Sequence, residues 1–207
     1  MIKKVDIPDH IIDTALGLAA EGRWRDLSLA EIATAAKLPL SKVYPVFPSK
    51  QAILAAYERR VDAAVLAGAE PDAREGPARD RLFDVLMRRF DTLAPHKRAI
   101  GTIVWDTARD PLAGLRALPG FRRSMACMLE AAGLSAEGML GAARIKALGA
   151  AYLATLRVWL RDDSPDSSHT MAALDRHLRC LDRLARCASR MRNRSTKPSG
   201  GMDEAAA

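Results

Sequence analysis

Apolar residues recur along this chain at intervals of three and four, the spacing of one face of an α-helix. Ile11, Ile12, Ala15, Leu16 and Ala19 define a first face, closed by Gly22, a residue that tolerates the left-handed conformation of a helix cap. Ser28-Leu29-Ala30-Glu31 matches a capping box, in which Ser and Glu satisfy two backbone donors that a helix start leaves orphaned. It predicts a short helix over 28–36. A turn at Lys37-Leu38 leads to a second short helix, where Pro39 suits the first position because its missing N–H costs nothing there. Pro48 ends that segment, and Ser49 caps a longer helix bearing Ile53, Leu54, Tyr57, Val61 and Val65.

Between Gly68 and Pro77 a polar stretch punctuated by Pro71 and Gly76 divides the chain into two helical regions. Beyond it, Leu82, Val85, Leu86, Phe90 and Leu93 predict a helix stopped by Pro95. Ile100, Ile103, Val104 and Trp105 predict another, stopped before Pro111. Pro119-Gly120 reads as a break before Phe121, Met125, Met128 and Leu129. Ser135 opens what reads as the longest helix, to about Arg161, with Gly138, Gly141, Gly149 and Ala150 permitting close helix approach. Asp162–Pro165 forms a turn, in which Asp162 and Asp163 suit capping. Ser167 or Ser168 caps a last helix to about Met191, and 193–207 reads as a disordered tail. No alternating β-branched run is long enough for a strand, so the fold class is all-α.

Composition narrows the function classes. The 207 residues hold 32 Lys+Arg against 25 Asp+Glu, a net charge of +7 that suits an anionic partner without choosing between nucleic acid and a membrane surface. The longest stretch without a charge, Ala147–Leu156, is too short to span a bilayer, and no apolar core follows the N-terminus as in a secretion signal. Cys127, Cys180 and Cys187 form no CxxC pair, and an odd count fits a reduced, cytoplasmic chain. His10, His96, His169 and His177 are scattered without a carboxylate or thiolate pattern, so no metal site is expected. Nothing resembles a nucleophile elbow, a phosphate loop or a nucleotide fingerprint. The expectation is a protein that is not an enzyme and needs no cofactor.

The paired short helices carry the sharpest signal. Leu29, Ile32, Ala33 and Ala36 face a core from the first, Val43 and Phe47 from the second, as in a helix-turn-helix whose second helix enters the major groove. Spacing alone fits any small bundle. The residues add more: Leu27-Ser28-Leu29-Ala30-Glu31-Ile32-Ala33-Thr34-Ala35-Ala36, then Val43-Tyr44-Pro45-Val46-Phe47-Pro48-Ser49-Lys50, closely resemble the DNA-binding domain of tetracycline-repressor (TetR) family regulators, over about Ile7–Val65. The resemblance implies a homodimer, probing double-stranded operator DNA with residues 1–67 (the linking fourth helix starting near 50). It also implies a ligand-binding and dimerisation domain over 78–192, and a repressor role relieved by an apolar small molecule. Carried over by position, Ser28, Tyr44 and Lys50 would touch phosphates, with Leu29 beside Ser28. Pro39, Leu40, Ser41, Lys42 and Pro45 would meet base edges or the groove wall. Lys42, Pro45 and Pro39 depart from the family's usual small hydroxyl, polar and Ser/Thr residues. Through Arg60 the balance is only nine Lys/Arg to seven Asp/Glu.

The C-terminal half supports a rival. Trp159-Leu160-Arg161-Asp162-Asp163-Ser164-Pro165-Asp166, with Thr170 and Leu174-Asp175-Arg176, resembles the TetR-fold lipid-binding accessory proteins of ubiquinone biosynthesis, in which the helix-turn-helix is vestigial. Trp105, Phe121, Met125, Met128, Tyr152, Leu156 and Trp159 are the expected lining of an apolar ligand pocket. In the last helix Leu174, Leu178 and Leu181 lie on an apolar stripe and are the expected dimer interface. Arg176, Arg179, Arg183, Arg186 and Arg190 turn away from it, which leaves a membrane surface open as an alternative partner.

Overall fold

The helical spacing resolves into helices and turns, with no strand among the described residues, in a computed structural model that describes residues 7–22, 24–68 and 76–195, with side chains as far as Cys187. α1 spans Ile7–Ala20, α2 Leu29–Ala35, α3 Leu40–Val43 and α4 Lys50–Ala67. α5 (Ala78–Leu93) passes through a 3-10 turn at Ala94–His96 into α6 (Lys97–Ala108), followed by α7 (Pro111–Ala131), α8 (Gly138–Trp159) and α9 (Ser168–Ser195). The expected all-α architecture is observed.

Local chemistry sets the element ends. Gly22 adopts φ +85°, as the close of α1 requires. The Ser28 hydroxyl accepts from the Glu31 N–H at 3.1 Å, and the Glu31 carboxylate accepts from the Ser28 N–H at 2.8 Å, completing the capping box of α2. Ser49 caps α4 by accepting from the Ala52 N–H at 3.2 Å. Other boundaries differ from the sequence reading. Pro39 is the residue before α3 rather than its first, with extended backbone at φ −67° and ψ 145°. α8 starts at Gly138, after a loop from Ser135. α9 is longer than α8 and reaches Ser195, so 193–195 are helical, while the rest of the expected tail lies outside the described residues. The serines at the head of α9 do not cap it alone. Asp162 accepts from the backbone N–H and hydroxyl of Thr170 at 2.8 and 2.6 Å, and Asp166 accepts from the Ser168 N–H at 3.1 Å.

Pro119-Gly120 does not break the chain, because α7 runs through it. A proline inside a helix forfeits one hydrogen bond, here to Leu115. Leu115 and Pro119 are both exposed, so this turn of the helix faces water. Gly120 faces α4, where a Cβ would sit 2.7 Å from Glu58 Oε2 and oblige that flexible side chain to move. Of the α8 glycines, Gly149 gives room to Phe121 of α7, and Gly141 to the backbone of Ala136 in the preceding loop.

One connected apolar cluster runs from Ile11 and Ile32, through Tyr57 and Phe90, to Leu174 and Leu178. α4 packs on α1 at one end and on α5 and α7 at the other, so it belongs to both regions. Leu174 and Leu178 are fully buried in this chain's own core and Leu181 packs on it, so they do not form the face offered to a second copy. Sequence periodicity identifies an apolar stripe but not which neighbour it meets. Outward on α8 and α9 stand Met139, Leu140, Leu153 and Leu184, with Cys180 and Cys187 also exposed. Among the described side chains of α9, Arg176, Arg179, Arg183 and Arg186 are exposed, two of them paired one turn back: Arg179 with Asp175 and Arg186 with Asp182.

Candidate nucleic-acid interface

α1 positions the helix pair. His10 Nε2 lies 2.9 Å from the Ala36 carbonyl, fixing the end of α2. The chain then turns through Lys37, whose φ of 55° places an ordinary side chain in the left-handed region. The Leu38 N–H closes the turn on the Ala33 carbonyl at 3.0 Å. Val43 and Phe47 are buried and hold α3 against the core. The second link is chemical: Pro45 has no N–H to give the Ser41 carbonyl, which accounts for a regular helix of only four residues.

Because Val43 and Phe47 face inward, Leu40, Ser41, Lys42, Tyr44 and Pro45 face outward as one exposed surface beside Pro39. The structure thus brings together six of the nine residues expected to meet DNA. The other three lie outside that surface. Leu29 is half-buried against the core. Ser28 is engaged by Glu31, to which its hydroxyl donates at 2.8 Å. Lys50 turns back to donate to the carbonyls of Trp24 at 2.8 Å and Arg25 at 3.0 Å, over the Trp24 ring. Burial lowers the Lys50 pKa, partly offset by Asp26, Asp106 and Glu31. Lys50 is a clamp between the α1–α2 loop and the head of α4.

Of the residues expected to line a ligand pocket, Trp105 stands apart from the others. Trp105 is 59% exposed at the end of α6, with the Arg109 guanidinium 4.0 Å from its ring centroid. Met125, Met128, Tyr152, Leu156 and Trp159 are buried, and Phe121 packs on them. Phe90 stacks on Tyr152 at 5.4 Å and tilts on Trp159 at 5.6 Å, while Phe121 meets Tyr152 at 6.0 Å. These rings pack on one another within the core.

Within that packing lies a polar group that sequence reading missed. Asp62 on α4 pairs with Arg89 on α5 and accepts from the Ser124 hydroxyl of α7 at 2.6 Å, all three buried. Arg89 Nε reaches the Tyr152 hydroxyl of α8 at 3.4 Å. Burial also raises the pKa of the neighbouring Glu58 carboxyl, against the opposing pull of Arg89. One signal was available, since Arg89 lies three residues after Leu86 and four before Leu93, on the core-facing register.

A short helix pair pinned by a third helix, with its second member turned outward on an all-helical body, defines the helix-turn-helix class. Comparison with solved structures places it more narrowly. Over 84% of its length the chain is similar to 97% of a TetR transcriptional regulator from Nitrosomonas europaea, at 27% identity and a TM-score of 0.68. A TetR transcriptional regulator from Rhodococcus sp. RHA1 matches over 84% of this chain and 93% of its own, at 20% identity and a TM-score of 0.57. One from Streptomyces coelicolor matches over 97% and 94%, also at 20% and 0.57. No protein-family model matches the chain, and no curated protein sequence does. The chain has the TetR-family transcriptional regulator fold.

Proposed function

We propose that this protein is a transcriptional repressor that holds a pseudo-palindromic operator as a homodimer. The observation that carries the reading is the exposed row Leu40, Ser41, Lys42, Tyr44 and Pro45, fixed to the body by buried Val43 and Phe47. A surface built to be rigid, with hydroxyl, ammonium and apolar groups together, suits a groove edge: Ser41 and Lys42 can hydrogen-bond bases, and Leu40 and Pro45 can meet thymine methyls. Tyr44 is left to reach a phosphate. Two-fold pairing would set two such helices on half-sites about one helical turn apart or a multiple of it. The outward apolar residues of α8 and α9, Met139, Leu153 and Leu184, are the proposed contact between copies. Selection of genomic fragments on the purified protein should return an inverted repeat, and Lys42→Ala should change which repeat is enriched. Fragments without a shared motif would refute the reading.

Ligand response, in this proposal, works through the packed aromatic cluster. An apolar effector that parts Phe121 and Tyr152 would meet Arg89 as its polar partner and disturb the Asp62 pair on α4. Its affinity would be reduced by the cost of opening the cluster. Trp159 fluorescence during titration with apolar compounds, in parallel with operator release, reports both steps.

A further inference from the structure

A helix on the surface of a water-soluble body turns its polar face outward. The first half of α7 does the opposite. Leu112 is 54% exposed, Leu115 64% and Leu118 45%, and Pro119 is exposed among them, while the small residues Ala113 and Gly114 are turned towards the body. Trp105, on the last turn of α6, adds a largely exposed indole at the same corner, covered by Arg109. From Pro111 to Arg123 the charged residues are Arg116, Arg122 and Arg123, all exposed, with no carboxylate among them. Two carboxylates lie at the junction before it: Asp110 caps the helix, accepting from the N–H groups of Leu112 and Ala113 at 3.0 and 3.1 Å, and the half-buried Asp106 lies within electrostatic reach of Lys50.

We infer that the α6–α7 corner is a docking surface for an anionic lipid bilayer. Its chemistry is that of a helix lying in the membrane interface: leucines to enter the acyl boundary, an indole at headgroup depth, and arginines for lipid phosphates. The charge favours lipid over a second copy, because two such corners would bring like-charged arginines together. No described helix is long and apolar enough to cross a membrane, so the contact is peripheral. α9 is less suited, because two of its arginines, Arg179 and Arg186, are paired with Asp175 and Asp182, and Leu174 and Leu178 of its apolar stripe are spent in the core.

The corner carries its own reporter. Trp24 and Trp159 are buried, so quenching of tryptophan emission by iodide reads mainly Trp105. With phosphatidylcholine vesicles containing phosphatidylglycerol, the full chain should co-sediment, its emission should shift to the blue, and iodide quenching should fall. Pure phosphatidylcholine vesicles should do none of this. Leu115→Gln and Arg116→Glu should each reduce co-sedimentation several-fold while leaving the far-UV circular dichroism and thermal midpoint unchanged. Trp105→Phe should keep most of the sedimentation and lose the spectral shift. Absence of binding to the anionic vesicles would overturn the inference, as would sedimentation indifferent to Leu115→Gln. A blue shift that grows with protein concentration without lipid, and is lost in Leu115→Gln, would assign the corner to a second copy instead.

Discussion

Asp162 illustrates how one side chain can organise an element. Burial alone would raise its pKa, but the hydrogen bonds from Ser164 and Thr170 outweigh it and hold the carboxyl well below the usual carboxylate range. The carboxylate therefore stays ionised in the folded chain at acidities where the unfolded chain takes up a proton, near pH 3.9. A depressed folded pKa means stability that is complete above the unfolded value and lost as the pH falls towards the folded one. Asp162→Asn should lower the thermal midpoint at pH 7, equivalent to roughly 1–3 kcal/mol for hydrogen bonds to a charged group. The gap from the parent should close as the pH drops below about 4. A gap that persists unchanged in acid would show that the side chain acts by shape and not by charge. Lys50 gives the complementary lesson. Its place in the Phe-Pro-Ser-Lys segment suggests a phosphate contact, and without DNA its ammonium donates to two carbonyls.

At the scale of elements, the Asp62–Arg89 pair ties α4 to α5, with α7 and α8 joined through Ser124 and Tyr152. Removing one partner strands the other charge in the core, so Asp62→Ala should cost about 3–5 kcal/mol. Replacing both together, Asp62→Leu with Arg89→Met, should cost clearly less than the sum of the single changes, because no charge is then left uncompensated. Chemical denaturation of the four proteins in the cycle tests this. Much of the element map was readable beforehand because it rests on local rules: the Ser28–Glu31 box, the Ser49 cap and the Gly22 turn need only their neighbours. What was not readable depends on contacts far along the chain. Pro119 reads as a break unless one knows that its turn faces water. Phe121, Tyr152 and Trp159 read as a pocket lining, and the contact of Tyr152 and Trp159 with Phe90, arriving from α5, has no local sign. The outward surface of α3 was legible because Val43 and Phe47, four residues apart, dictate the opposite face.

For the whole molecule, the division between inner and outer apolar residues decides what holds one chain together and what could hold two. Leu178→Asp should unfold the protomer, since that side chain lies in the core. Leu184→Glu should leave the protomer folded, yet convert the proposed dimer to monomer in light scattering, because Leu184 is 61% exposed on the proposed contact face. A dimer that survives Leu184→Glu would move the contact elsewhere. The cysteines bear on the same question from another side. Burial raises the Cys127 pKa, whereas Cys180 and Cys187 are open to solvent on α9. A thiol reagent at neutral pH should therefore mark α9 first, at two points about 10 Å apart along its axis. Nitroxides placed there would give a single short separation in an isolated chain, and a set of longer separations once two chains associate. The native sequence thus carries its own ruler for the tilt between paired helices, with no engineered site required.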